Sequence, residues 1–124
     1  MNLQRHNYES IGLPLGPYVH AVAHNHTLYT SGLTAFGTQH QQGDICEQAH
    51  AIFTQLEVIA KQQGTSLQQL IKVTIFVTDF SDINKLRDYL FECYGENLPA
   101  SALIKIESLF SPDLLIEIEA ILAL

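Results

Sequence analysis

Residues 70–78 read Leu-Ile-Lys-Val-Thr-Ile-Phe-Val-Thr, and this alternation constrains the fold more than any other stretch. A period of two among β-branched residues is the pattern of a strand. Ile71, Val73, Ile75 and Val77 fall on one face, and Lys72, Thr74, Phe76 and Thr78 on the other. The first face is wholly apolar and demands a covering layer of helices. The second is too polar for another core and, at Phe76, too apolar for plain solvent surface. A strand of this kind belongs to a sheet with helices on one side and a partner of mixed polarity on the other.

The C-terminal region repeats the split. Along residues 114–122, Ile116, Ile118, Ala120 and Leu122 line one face, and Leu115, Glu117, Glu119 and Ile121 the other. In a penultimate strand over residues 102–108, Ile104 and Ile106 oppose Leu103, Lys105 and Glu107, and Ser111-Pro112-Asp113 forms the turn between the two strands. The second face thus collects carboxylates, a lysine, threonines and isolated large apolar side chains. That composition suits a subunit interface with polar pockets in it.

Two helices cover the first face. Ile45, Ala49, Ile52, Phe53, Leu56, Ile59 and Ala60 recur at spacings of three and four. Asp44 with Glu47 forms a capping box before them, and Gly64 stands where a C-terminal cap belongs. A second amphipathic helix spans residues 81–94, with Ile83, Leu86, Leu90 and Cys93 inward and Gly95 ending it. Upstream, Gly12-Leu13-Pro14-Leu15-Gly16-Pro17-Tyr18 is too rich in Pro and Gly for helix or central strand and reads as an extended arm. Short strands over residues 18–23 and 26–31 follow, joined by a turn at His24-Asn25 and closed by Gly32. The order is β-β-α-β-α-β-β, an α+β two-layer domain with its helices on one face of a mixed sheet.

The 124 residues give one domain, 1–124, large enough to fold without disulfides or metal. With 6 basic and 13 acidic side chains the net charge is −7, and the basic residues are scattered, which argues against nucleic acid and anionic membrane as partners. No apolar run approaches a membrane span, and Met1-Asn2-Leu3-Gln4-Arg5-His6 lacks a signal-peptide core. Cys46 and Cys93 form no metal-spaced motif, so two reduced thiols and a cytoplasmic location are expected. His20, His24 and His26 lack further ligands at a familiar spacing, so no metal is expected. Cys46 lies in a first helical turn, where the helix dipole can favour a thiolate; an idle thiol is the plainer reading.

Four stretches in order resemble the Rid/YjgF family of small trimeric proteins: Gly16-Pro17-Tyr18-Val19, Tyr29-Thr30-Ser31-Gly32, the strand from Ile71 to Asp79, and Leu115-Ile116-Glu117-Ile118-Glu119-Ala120-Ile121. The resemblance runs from Leu13 to the end. It implies a chorismate-mutase-like fold and a homotrimer, with a central barrel of sheets, helices outside and small-molecule clefts between subunits. It also implies cofactor-free hydrolysis of reactive enamines and imines, of the 2-iminobutanoate/2-iminopropanoate deaminase type. By position, Glu117 corresponds to the water-assisting Glu, and Tyr18, Ser31 and Gly32 to the pocket wall. The family's Pro-Ala-Arg-Ser segment, whose Arg holds a substrate carboxylate, here reads Pro99-Ala100-Ser101-Ala102. Ser101 offers one neutral donor where guanidinium offers a charged fork. Arg87 aligns with a pocket Asn of the family.

Each residue also has a structural reading. Glu117 can pair with Lys105 on an adjoining strand, or with Glu119, about 7 Å along the same face, can form an acid of raised pKa. Tyr18 can simply pack the arm, and Ser31 can bond backbone. Two functions stand level: an enamine/imine hydrolase whose substrate range is shifted by Ser101, and a non-catalytic trimeric binding protein using the same clefts. A ribonuclease is disfavoured by the charge balance.

Overall fold

The structure, a computed structural model, describes residues 2–124. Its strands are β1 (Gln4–His6), β2 (Ala21–His24), β3 (Thr27–Thr30), β4 (Leu70–Val77), β5 (Ala100–Lys105) and β6 (Ile116–Ala123), with helices α1 (Ile45–Gln62) and α2 (Ile83–Tyr94). Short 3₁₀ turns occupy Glu9–Ile11 and Leu67–Gln69. One mixed sheet has the order β1-β2-β3-β6-β4-β5. Only β4 and β5 are parallel, as expected of two strands joined through a crossover helix. The α+β class expected from the sequence is the one observed.

α1 begins at the expected capping box: Glu47 N–H donates to Asp44 Oδ1 at 2.9 Å and Asp44 N–H to Glu47 Oε1 at 3.1 Å. Its apolar stripe packs with Val73, Ile75 and Val77 of β4 and with Ile116, Ile118, Ala120 and Leu122 of β6. One core member is polar. Gln48 is fully buried, its amide N–H groups donating to Gln41 O at 2.9 Å and Asp113 O at 2.8 Å while Oε1 accepts from Leu115 N–H at 2.8 Å. It joins the loop before α1 to the turn before β6.

Four details differ from the sequence reading. First, the sheet gains an edge strand, β1, pairing Gln4 with Ala23 and His6 with Ala21; its Gln-Arg-His sequence carries no alternation to reveal it. Second, the β2–β3 turn centres on Asn25 and His26, at φ 52° and 62°, so β2 runs from Ala21 to His24 and β3 starts at Thr27. Two left-handed residues match the twist of a tight hairpin. Third, a bulge between Leu70 and Lys72 turns Ile71 out, 46% exposed, and Leu70 takes the buried place expected of Ile71. Fourth, β5 lies outside β4 rather than beside β6. Leu103 and Lys105 pair with Ile75 and Val77 on the helix side, whereas Ile104 pairs with Phe76 on the open side. The parallel crossover reverses the face assignment of β5, and Lys105 does not face Glu117.

The open face therefore carries Tyr29 of β3, Glu117, Glu119 and Ile121 of β6, and Lys72, Thr74 and Phe76 of β4. Across the strands Tyr29 and Lys72 flank Ile121, Thr74 opposes Glu119 and Phe76 opposes Glu117.

Candidate functional site

At one end of the sheet the arm, the segment after β3 and the start of β6 enclose a cleft of about 660 Å³. It gathers Tyr18, Ser31, Gly32 and Glu117, four of the residues singled out by the sequence. Ser101, on edge strand β5 opposite Val73, and Arg87, exposed on α2, do not line it. β4 separates β5 from β6 within the sheet.

Glu117 is half-buried, and its carboxyl is pushed above the ordinary value, first by burial and then by the neighbouring Glu119. Its place depends on Gly32. A Cβ at position 32 would stand 2.8 Å from Glu117 Cδ and 3.2 Å from Cγ. The glycine therefore supplies room for the carboxylate, not an unusual backbone conformation; it is absent from the positive-φ residues.

The hydrogen-bond pattern assigns further roles. Ser31 Oγ donates to Val19 O at 2.6 Å, so its proton is spent and the oxygen accepts toward the cleft. Tyr18 Oη accepts from Leu15 N–H at 3.3 Å and keeps its own proton to donate. His20, another lining residue, is buried, and its Nδ1 accepts from Tyr8 N–H at 3.0 Å. That bond puts the proton of the neutral ring on Nε2, and burial lowers the ring's pKa. His20 is thus turned inward to Tyr8, and among the described residues no three His, Cys, Asp or Glu side chains gather as metal ligands. Cys46 is pushed up by burial and by Asp44, the reverse of an activated thiolate.

The rim was not foreseen from the sequence. Phe36 and Phe110 meet edge to face, with ring centroids 5.1 Å apart, at the mouth of the cleft. They lie 74 positions apart (110 − 36) in loops with no periodic signal. A second, shallower depression of about 680 Å³ shares Tyr18 and Ser31 and holds Arg5.

Two helices on one face of a mixed sheet, with a half-buried carboxylate in a cleft at its edge, define a small α+β protein of a known kind. The structure of Rv2704 from Mycobacterium tuberculosis, a member of the YjgF/YER057c/UK114 family, has this fold. It superposes with a TM-score of 0.82 at 24% identity, covering 99% of this chain and 100% of that one. Residues 10–124 match the family described as Endoribonuclease L-PSP, and the chain belongs to that family, the Rid/YjgF family. A RutC family protein of Pyrococcus horikoshii is 32% identical over 116 residues, 91% of each chain. The 2-iminobutanoate/2-iminopropanoate deaminase of Dermatophagoides farinae is 27% identical over 114 residues, 90% of this chain and 88% of the relative. Among the described residues no helix is long and apolar enough to cross a membrane.

Proposed function

We propose that the chain is a single-domain hydrolase, residues 1–124, acting on reactive enamines or imines, with Glu117 as its acid–base group. The observation that carries this reading is Glu117 itself: a half-buried carboxyl of raised pKa, in a cleft beside Tyr18 and Ser31, with Gly32 making room for it. A carboxyl poised closer to neutrality can take a proton from water and return it. Glu117 removes a proton from water as the oxygen bonds to the C=N carbon. The nitrogen then takes a proton and leaves. An iminium and one water become a ketone and ammonium, and no cofactor is consumed.

Exposed apolar side chains on the open sheet face, Tyr29 and Ile104 among them, support assembly as a homotrimer. In that assembly Ser101 and Arg87 reach a cleft only from a neighbouring copy. Static light scattering should give three times the 13.9 kDa chain mass; a monomer at micromolar concentration would reject the assembly. Two free thiols fit a cytoplasmic setting.

The catalytic reading is tested with imines generated by an amino-acid or amine oxidase, following ketone or ammonia release. Glu117→Gln should lower the rate by about 10²-fold or more. Equal rates in wild type and variant would reject it. Ser101 in place of the carboxylate-holding Arg, with no Lys or Arg of the same chain in the cleft lining, favours a second reading, a trimeric binding protein that has kept the cleft without the chemistry. No acceleration of any imine hydrolysis, with ligand binding intact, would select that alternative. A ribonuclease fits poorly, because neither the lining nor the net charge of −7 offers phosphates a basic surface.

A further inference from the structure

His20 is a lining residue whose chemistry the proposed hydrolysis leaves unused. It is only 5% exposed although it lines the cleft. Its backbone N–H donates to Asn7 Oδ1 at 3.0 Å, and its carbonyl accepts from Ser31 N–H at 2.9 Å. Its ring lies within 12° of parallel to that of Tyr8, with centroids 5.9 Å apart, and Nδ1 accepts from Tyr8 N–H at 3.0 Å. All of these contacts are internal to the chain. A neighbouring copy that brings Arg87 or Ser101 to the cleft adds to this wall and does not build it.

The far ring nitrogen is differently placed. Nε2 bonds no other described residue, yet it is not one of the sealed polar atoms without a partner, which are His6 Nε2, Tyr8 Oη and Tyr94 Oη. It therefore opens onto the cleft that the ring lines. With Nδ1 committed as an acceptor, the neutral ring carries its proton on Nε2, and burial disfavours the charged form. The result is a neutral N–H donor held rigidly in the wall, and a donor so fixed is preorganised for an acceptor on the ligand. An amine or iminium nitrogen has no lone pair to give it; an oxygen does.

We infer that His20 is a ligand-binding residue of the cleft, its Nε2–H donating to an oxygen on the carbon that also bears the ligand's nitrogen: a carbinolamine hydroxyl, or the oxygen of an amide. Ser31, bonded to His20, and Gly32, lying over Glu117, are adjacent, so the donor and the carboxyl serve one ligand. The inference rests on the hydrolase reading and deepens it. The attacking water becomes the carbinolamine hydroxyl as its C–O bond forms, and the ketone oxygen once the C–N bond breaks. Glu117 passes the first water proton to nitrogen, the hydroxyl proton leaves with the ammonia as ammonium, and His20 keeps its own proton throughout.

Nuclear magnetic resonance titration of the intact, assembled protein at neutral pH tests this without turnover. Propanamide carries oxygen and nitrogen on one carbon; propylamine, of the same length, lacks the oxygen. In wild type the ring nitrogen resonances should show His20 protonated on Nε2, and propanamide should move the Nε2 resonance. His20→Asn keeps an acceptor for Tyr8 N–H where Nδ1 stood and removes the donor, whereas His20→Gln carries an amide N–H to where Nε2 stood. Propanamide affinity should fall about 3–10-fold in His20→Asn, the loss of one neutral hydrogen bond, and recover in His20→Gln. Propylamine affinity should be alike in all three proteins. An equal fall for both probes in His20→Asn would show that the side chain only supports the wall, and would overturn the inference. An Nε2 resonance that propanamide leaves in place in wild type, a readout that depends on no variant, would overturn it too, as would no propanamide binding. Failure of the hydrolase reading looks different: imine turnover would be absent or indifferent to Glu117→Gln while propanamide binding still depends on position 20.

Discussion

Gly32→Ala is a single-methyl test of how the cleft is built. Gly32 does not have a positive φ, so alanine can adopt its backbone without strain, and the whole effect is steric. The new Cβ would stand 2.8 Å from Glu117 Cδ, closer than carbon atoms tolerate, so the carboxylate must swing away. Glu117 is only half-buried and has somewhere to go. The stability cost is therefore that of a strained side chain, about 1 kcal/mol, and not that of a crushed core. In a domain of this size that lowers Tm by roughly 2–8 °C.

On the hydrolase function proposed above, the functional cost is far larger. A catalytic group displaced by about 1 Å loses on the order of 10²-fold in rate. Moving the carboxyl toward solvent also relieves the burial that raises its pKa, so the acid limb of the pH–rate profile shifts to lower pH. Coupled-oxidase kinetics across pH, together with a melting curve, would read all three effects. In the Glu117→Gln background Gly32→Ala should add almost nothing to the loss of activity, because both act on one group. Full activity with an unchanged profile in Gly32→Ala would refute the reasoning. So would a second loss as large as the first in the double variant.

Three further outcomes are expected. Because the Glu117 pKa is raised on folding, the folded state holds its proton longer than the unfolded chain, and this group costs stability as pH rises through the window above its ordinary 4.5. Glu117→Gln should therefore melt higher than wild type at neutral pH, with the advantage vanishing below that window; a variant less stable at pH 7 would contradict the assignment. Gln48→Ala strands Leu115 N–H and two carbonyls in the core and should cost about 2–3 kcal/mol in urea unfolding, where an unchanged midpoint would show that water replaces the side chain. Ser101→Arg should raise activity on imino acids if a neighbouring copy presents position 101 to the cleft, and Glu117→Gln should remove that gain; no gain in a correctly assembled trimer would separate position 101 from the site.

The legible part of the fold was the part whose side chains alternate or recur. β4, β6 and α1 each carry long apolar series, and the structure buries them as the series demand. Position 71 escaped because a bulge inserts one residue into an otherwise regular alternation, and the alternation alone does not say whether Leu70 or Ile71 pairs. β5 escaped for a different reason. Its faces are set by the crossover through α2, a tertiary constraint, and Leu103 and Ile104 are both apolar. β1 escaped because an exposed edge strand of Gln, Arg and His carries no burial signal. Of the site, Tyr18, Ser31, Gly32 and Glu117 were reached by motif, and the cleft brings them together. Phe36, Phe110 and His20 depend on loop contacts that no local pattern encodes.

The cleft exists because one strand leaves the sheet early. β3 pairs with β6 from Thr27 opposite Ala123 to Tyr29 opposite Ile121, and then the ladder stops. Beyond it Ser31 turns toward the arm, its N–H donating to His20 O at 2.9 Å and its hydroxyl to Val19 O. A straight β3 would have used backbone to satisfy the next donor on β6; instead Ala120 N–H donates to Thr30 Oγ1 at 3.0 Å. The chain rejoins β6 at Leu33, whose N–H donates to Ile118 O at 2.8 Å and whose carbonyl accepts from Ile118 N–H at 3.0 Å. Between these two attachments Gly32, lacking a Cβ, passes close over the Glu117 side chain. The Thr-Ser-Gly sequence thus has a separate task at each position. The threonine hydroxyl replaces a lost ladder bond, the serine turns the backbone toward the arm, and the glycine leaves the volume the carboxylate occupies. A strand that continued through these residues would close the end of the sheet where Glu117 now meets the cleft.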